Sequence, residues 1–489
     1  MEKLIVLQND PNALKLAKIA DLLGVGCELV SEIPREPSCM ILPGPYSDKF
    51  QEDILQAEHT VLVYNAGLSE TFAAQLRPFR HASNRIRIGN ARRDVTSSLS
   101  GLSFQTAVTE TVFSSFQGFE PLVFMDEHPI FLARGRLFLL AADRVLDIDM
   151  EGKEGCEPYR EHFTELLPFV MFIKTVLKER CWRLPEQYAC IIVDDPLLRR
   201  RHGFIDIPVF VEWLRANSLA ATFAFIPWNH DRSRAAIAEL FNRNSDRLSI
   251  CVHGCDHTEA EFAIADAAHL DAMARTAMTR MAAHEREHAI RHDRIMIFPQ
   301  GKFTRYALVA LQRNGYMAAV NTSLFPTNDF WNPTVRELLD LALVIPHGVP
   351  LFNRRYPVDL FDFACDIFFE KPVLIVQHHR DFRSGFESLQ SFIRDLDRIK
   401  PGMKWLPLGA LLAQSIWHRA ESNGTVRTRK LVREGQEGTW AEVEYSPKAR
   451  AKIALKRYLS EFRDNHIDRS KLMTFVVKAI RKESDGQGS

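Results

Sequence analysis

Long apolar runs are missing from this chain of 489 residues. Its densest apolar stretch, Leu166 to Leu177, is interrupted by Lys174 and is about half of the ~20 residues that a membrane-spanning helix needs. A net charge is missing too. With 62 Lys and Arg against 62 Asp and Glu, no global field draws the chain to nucleic acid or to an anionic membrane. Cysteine is sparse, 8 residues without framework spacing, which excludes a disulfide scaffold and points to reduced thiols in a cytoplasmic setting. The N-terminus runs from Met1 to Leu7 straight into a polar turn at Asn9 and Asp10, so a cleavable leader is not expected. Gly-rich phosphate loops, a nucleophile elbow and internal repeats are also lacking. What is there is an ordinary globular composition, 46% hydrophobic and 25% charged, in a length suited to two to four domains.

Four regions are expected. Residues 1–150 alternate short apolar runs (Leu4–Leu7, Met40–Leu42, Thr60–Tyr64, Arg85–Ile88) with helical patterns, which predicts an N-terminal α/β domain on a parallel sheet. Toward its end, Pro121–Met125, Ile130–Ala133 and Arg136–Ala141 read as an antiparallel section. A linking helix occupies 151–185. A second βα series fills 186–417, with strands at Tyr188–Val193, Ala221–Ile226, Arg247–Val252, Arg294–Phe298, Met317–Val320, Leu341–Ile345, Val373–Gln377 and Lys404–Leu406. Seven or eight βα units over about 230 residues predict a (β/α) barrel. From His418 to the end, 16 Lys and Arg against 10 Asp and Glu give a basic tail of charge +6, with a hairpin (Val426–Leu431, Trp440–Tyr445) and two helices.

The second series places polar residues just after its strands, on the face where barrels build their sites. Asp194 and Asp195 follow the first strand, and Trp228-Asn229-His230 the second. The third is followed by His253-Gly254-Cys255-Asp256-His257, and the fourth by Pro299-Gln300-Gly301. Asn321, His347 and the pair His378-His379 come after the fifth, sixth and seventh.

The chemistry of this set is that of a metal site. His253 and His257, four apart, bring two imidazoles to one ion when they share a helical turn, and Asp195 supplies a carboxylate from another strand. Two imidazoles and one carboxylate suit zinc, with cobalt, nickel or iron as substitutes. Asp194, beside a ligand, is the expected general base. His378 is the expected acid that protonates the leaving group. Such a site suits hydrolysis of an amide or an ester.

In order and spacing, Asp194-Asp195, His253-x-x-x-His257, Phe298-Pro299-Gln300-Gly301 and the late His378 resemble the motifs of the polysaccharide deacetylase (NodB-homology) superfamily. The resemblance covers about 186–417. It implies a metal-dependent hydrolase that removes acetyl groups from a carbohydrate or glycoconjugate. Residue by residue, it makes Asp194 the base, Asp195, His253 and His257 the ligands, and His378 the acid. It departs at Ile297, where the family's third motif carries an arginine that holds the base. The alternative reading is therefore a non-catalytic member of the same fold, binding a carbohydrate or a partner in a polysaccharide assembly system.

Other residues keep two readings each. Pro299, Gln300 and Gly301 are candidates for substrate or oxyanion binding, which needs only a backbone N–H. Trp228 is either a sugar-stacking platform or a rim aromatic, and His379 competes with His378, though strand alternation lets one of the two face the site. Arg199-Arg200-Arg201 and Arg354-Arg355-Tyr356 are solvated loops or substrate contacts. His284, His288 and His292, at i, i+4 and i+8 on an Ala-rich helix, are expected on its exposed face. In the tail, cations interleave with Ile453, Leu455, Leu459 and Phe462 at helical spacing. That pattern docks on an acidic partner or membrane surface, or packs on the barrel.

Overall fold

The chain is described here by a computed structural model covering residues 3–48, 58–327, 329–421 and 425–432. It is an α/β structure with two large sheets. In the N-terminal sheet of nine strands, Leu4–Leu7 runs parallel to Cys27–Val30 on one side and to Cys39–Pro43 on the other. Thr60–Tyr64 and Leu137–Leu140 continue the parallel half. The sheet then turns antiparallel through His128–Arg134, Glu120–Met125, Pro78–Ile88 and Ser103–Phe113. The expected strand at Arg85–Ile88 is thus the end of an eleven-residue antiparallel strand. Its polar first half hid it, because Phe79, Arg80, Ala82, Asn84 and Arg85 are exposed and His81 and Ser83 only half-buried.

Helix Phe163–Leu177 contains the densest apolar stretch of the sequence, and eleven of its residues are buried. It packs into the core of the N-terminal sheet together with Val335, Leu339, Phe361, Ala364 and Phe368 from the barrel side. An apolar run too short to cross a bilayer is here a helix buried between the N-terminal sheet and helices of the barrel side. Among the described residues no helix is long and apolar enough to cross a membrane.

The second sheet is a nearly closed barrel of seven parallel strands. In spatial order they are Leu351–Asn353, Ala318–Asn321, His292–Ile297, Leu248–His253, Ala221–Phe225, Tyr188–Asp194 and Val373–His378. Tyr188–Asp194 and Ala221–Phe225 are buried at every position, as parallel strands covered on both faces must be. Arg355 closes the ring: its N–H donates to the Leu374 carbonyl at 2.9 Å, and its carbonyl accepts from Val376 N–H at 2.9 Å.

Two strand expectations need correction. The sixth strand is Leu351–Asn353, not Leu341–Ile345; that segment meets the sixth strand only through a bridge between Leu343 and Leu351. His347 therefore ends no barrel strand, whereas Arg354 directly follows one. Lys404–Trp405 pairs beside the start of the first strand and adds no eighth stave. Val426–Lys430 does form a hairpin, but with Ile416–Ala420. The expected partner strand Trp440–Tyr445 and the amphipathic tail helices lie outside the described residues.

Candidate metal centre and barrel mouth

Strand register brings the mouth together. Asp194, the last residue of the first strand, pairs with His378 of the seventh. His253 ends the third strand beside Ile297 of the fourth, whose carbonyl lies 2.9 Å from His253 Nδ1. That contact fixes the ring and turns Nε2 toward Asp195, the backing usual for a ligating imidazole. Asp195 itself leaves the strand in the left-handed region, φ 69°.

Asp195 Oδ1 stands 3.1 Å from His253 Nε2 and 3.0 Å from His257 Nε2. The oxygen is sealed from solvent yet meets neither nitrogen in hydrogen-bonding direction. Ligand atoms about 2.1 Å from one ion and at right angles stand about 3 Å apart, so this spacing fits three ligands on a shared cation. Among the described residues, this is the one group of three such side chains whose ligand atoms lie within 4.8 Å of one another. The donor set therefore fits a divalent metal.

A loop, not a helical turn, brings the two imidazoles together. Gly254 and His257 both adopt left-handed backbone, φ 64° and 56°. At Gly254 a Cβ would fall 2.1 Å from Glu261 Oε1, so glycine is required. Glu261 organises the loop from inside. Its Oε1 accepts from the N–H groups of Cys255 (2.8 Å) and His257 (3.2 Å). Its Oε2 accepts from Asp256 N–H (3.2 Å) and from Thr258 N–H and Oγ1 (3.1 Å each). Nothing in the sequence had singled out Glu261; the signal available was an acid three to six residues beyond a run of backbone donors.

Asp194 is buried, and burial alone would raise its pKa. The guanidinium of Arg354 reverses this and holds the carboxyl below the ordinary carboxylate range. The pair is bidentate, Nη1–Oδ1 2.6 Å and Nη2–Oδ2 2.7 Å, with both side chains 3% exposed. Arg354 thus stands on Asp194 from the end of the sixth strand, although the position where the resemblance places a fourth-strand arginine is Ile297. Alternation explains its aim: Arg354 turns into the barrel, while its neighbour Arg355 points out to Asp366 and Glu157.

His378 Nε2 lies 3.7 Å from Asp194 Oδ2. Burial lowers its pKa, and the two aspartates only partly offset that. The exposed ring of Tyr356 lies parallel to His378 at 6.0 Å. His379 faces elsewhere, stacked on Phe204 and edge-on to His202. Of the other expected site residues, Trp228 has the guanidinium of buried Arg280 over its ring at 4.9 Å. Arg280 in turn pairs with Asp256 at 2.6 Å. Pro299 is buried; Gln300 has φ 56° and its side-chain oxygen accepts from Ala260 N–H at 3.1 Å; the Gly301 carbonyl accepts from Asn321 Nδ2 at 2.8 Å.

No family model matches this chain, and no curated protein matches it. Among solved structures it is similar to a CE4-family pseudoenzyme from Bacillus anthracis, at 12% identity and a TM-score of 0.30, over 47% of this chain and 66% of that one. The Xyl-CE4 domain of a multidomain xylanase from the hindgut metagenome of Trinervitermes trinervoides matches at 15% identity and 0.28, over 46% and 89%. A family 4 acetyl xylan esterase from Clostridium thermocellum, solved with a cobalt ion, matches at 13% and 0.28, over 46% and 90%. Likenesses this distant carry no weight on function; the geometry of the mouth does.

Proposed function

We propose that the barrel is a metal-dependent hydrolase that removes an acyl group, acetyl in the first instance, from a carbohydrate or glycoconjugate. The observation that carries this reading is Asp195 Oδ1 within 3.1 Å of two imidazole nitrogens, beside an aspartate that an arginine keeps anionic. Asp195, His253 and His257 are the ligands, and zinc suits them best. The ion, when bound, supplies a more acidic water and polarises the acyl carbonyl.

Asp194 takes the water's proton on a carboxylate oxygen, and Arg354 orients that carboxylate. His378 Nε2 returns a proton to the departing nitrogen or oxygen. The 3.7 Å between them keeps the accepting and donating atoms side by side. The backbone N–H of Gln300, between Pro299 and Gly301, is the oxyanion donor in this scheme. Trp228 flanks the substrate rather than reacts, and His379, turned toward Phe204 and His202, takes no part in this scheme. The non-catalytic reading drew its support from Ile297, and Arg354 weakens that support by holding the base from another strand.

Release of acetate from an acetylated oligosaccharide by the zinc-loaded full chain tests the proposal. His253→Ala with His257→Ala should abolish release and remove one equivalent of zinc while the circular dichroism spectrum is kept. Undiminished release by that double variant would overturn it.

A further inference from the structure

Arginines crowd one side of the barrel mouth. The seventh, first and second strands lie side by side. The stretches that follow them, 379–386, 196–206 and 226–234, hold seven arginines against three aspartates. The stretch after the third strand, 254–266, holds four acids and no lysine or arginine. The chain as a whole balances 62 cations with 62 anions, so the excess is local. Backbone and ring contacts join the three basic stretches into one rim. Arg234 N–H donates to the Leu198 carbonyl at 2.9 Å. The guanidinium of Arg383 lies 4.9 Å over the ring of Phe204, and that ring stacks on His379 at 6.5 Å.

The rim's own acids do not take up these cations. Asp206 pairs with Arg201 at 3.1 Å, and Asp381 accepts from the His378 N–H at 2.7 Å. Among the described residues, the side chains of Arg199, Arg234, Arg380 and Arg383 have no carboxylate partner. Arg199 is half-buried, and its Nε is sealed from solvent without a hydrogen-bond acceptor. A donor left in that state is costly unless a group from outside the chain completes it. Arg380 stands two residues beyond His378, and its positive charge is felt at both His378 and Tyr356.

We propose that the substrate carries an oxyanion, a phosphate or a carboxylate, which this arginine rim draws to the mouth and Arg199 helps to hold. The proposal deepens the hydrolase reading, on which it rests for the acyl group, whereas the anion preference is a property of the rim. Guanidinium forks match two oxygens of either anion and are only weakly hydrated, so they suit this task. A cleft edged by one sign of charge speeds the arrival of the opposite sign by about 10–10³-fold. The acidic stretch after the third strand repels the same group. The anion therefore lies toward the first and seventh strands, and the acyl group toward Asp195, His253 and His257.

Isothermal titration of the zinc-loaded full chain with N-acetylglucosamine 1-phosphate, N-acetylmuramic acid and N-acetylglucosamine reads binding without turnover. The phosphate, the carboxylate or both should bind at least about tenfold more tightly than the neutral sugar, and the arm that does so names the anion. In Arg199→Gln with Arg380→Gln and Arg383→Gln that preference should shrink to about twofold or less, with zinc content kept. Equal binding of all three sugars would overturn the proposal, even if acetate release from a neutral oligosaccharide upheld the hydrolase reading. A preference that survives the triple substitution would overturn it too, since the zinc itself would then hold the anion. Should the triple variant fail to fold, salt decides. Raising sodium chloride from about 50 to about 500 mM should weaken binding of the charged sugar at least about fivefold and leave that of the neutral one level. A preference untouched by salt would contradict the proposal.

Discussion

Two aspartates in this protein lie near the ends of parallel strands, one in each large sheet, and both are buried. In the N-terminal sheet Asp10 accepts from the Tyr64 hydroxyl at 2.6 Å and from Asn12 N–H at 2.8 Å. Its partners are neutral, so burial prevails and its pKa is raised. In the barrel Asp194 is buried as deeply, but its partner is a guanidinium, and its pKa is lowered. Burying an acid is thus not in itself a sign of chemistry. The charge of the partner decides whether burial raises the pKa of the acid, as at Asp10, or is overridden so that the carboxylate form is favoured, as at Asp194.

Neutralising each acid in turn should separate the two most strongly. Asp194→Asn should slow acetate release by about 10²–10⁴-fold, the usual contribution of a positioned proton acceptor, with zinc still bound. Asp10→Asn should leave turnover unchanged and cost about 1 kcal/mol of stability or less, because the amide oxygen still accepts from Tyr64. Equal effects of the two substitutions on turnover, measured at saturating substrate, would erase the distinction.

Removing the partner is the next largest perturbation. Arg354→Gln leaves Asp194 buried without its counter-charge, which typically costs about 3–5 kcal/mol, read from urea unfolding. It should also move the acid limb of the pH profile upward, since the main influence opposing burial at Asp194 would be gone. A variant with wild-type stability and an unmoved acid limb would show that Arg354 does not set the base.

Much of the site was legible because it is written locally. Asp194-Asp195, His253 and His378 sit at the ends of buried apolar runs, His257 follows four residues on, and alternation alone argued that His378 and His379 point apart. Arg354 was not legible as the partner of Asp194. It lies 160 residues from Asp194 in sequence, and the run Leu341–Ile345 resembles a strand better than the three-residue Leu351–Asn353 that carries the arginine inward. The helix ending at His288 was misjudged because its alanines look like a surface. Yet its buried stripe, Leu270, Ala274, Ala277, Met281 and His284, steps by four and three residues and already contains the first histidine. In the parallel half of the N-terminal sheet the buried strands Leu4–Leu7, Cys39–Pro43 and Thr60–Tyr64 were legible, but Cys27–Val30, with no fully buried residue, was not, and Leu137–Leu140 was expected only in the antiparallel section. The sheet was read poorly where long, polar, twisted strands such as Ser103–Phe113 bury only alternate side chains.

A smaller effect is expected at the loop. Glu261→Gln removes the charge that gathers four backbone N–H groups, and zinc affinity at the mouth should fall by about 10–100-fold, as for other residues that orient ligands from behind. Titration of the stripped protein with a competing chromophoric chelator reads this. Unchanged affinity would make Glu261 part of the fold only.

The smallest is a matter of where activity peaks. The base must be ionised, so activity rises through the pKa of Asp194, which lies below the ordinary ~3.9. The acid must be protonated, so activity falls through the pKa of His378, which lies below the ordinary ~6.5. The kcat/KM profile should therefore peak on the acid side of neutrality. A maximum above pH 7 would contradict the assignment of His378 as the acid.

All of the chemistry proposed for the barrel depends on Asp195, His253 and His257 holding one divalent ion at its mouth. Anomalous diffraction at the zinc edge, from crystals of the reloaded full chain, tests this without recourse to activity. The expected map has a peak about 2.0–2.2 Å from Asp195 Oδ1, His253 Nε2 and His257 Nε2. A map with no peak among those three atoms, in crystals that carry zinc, would contradict it.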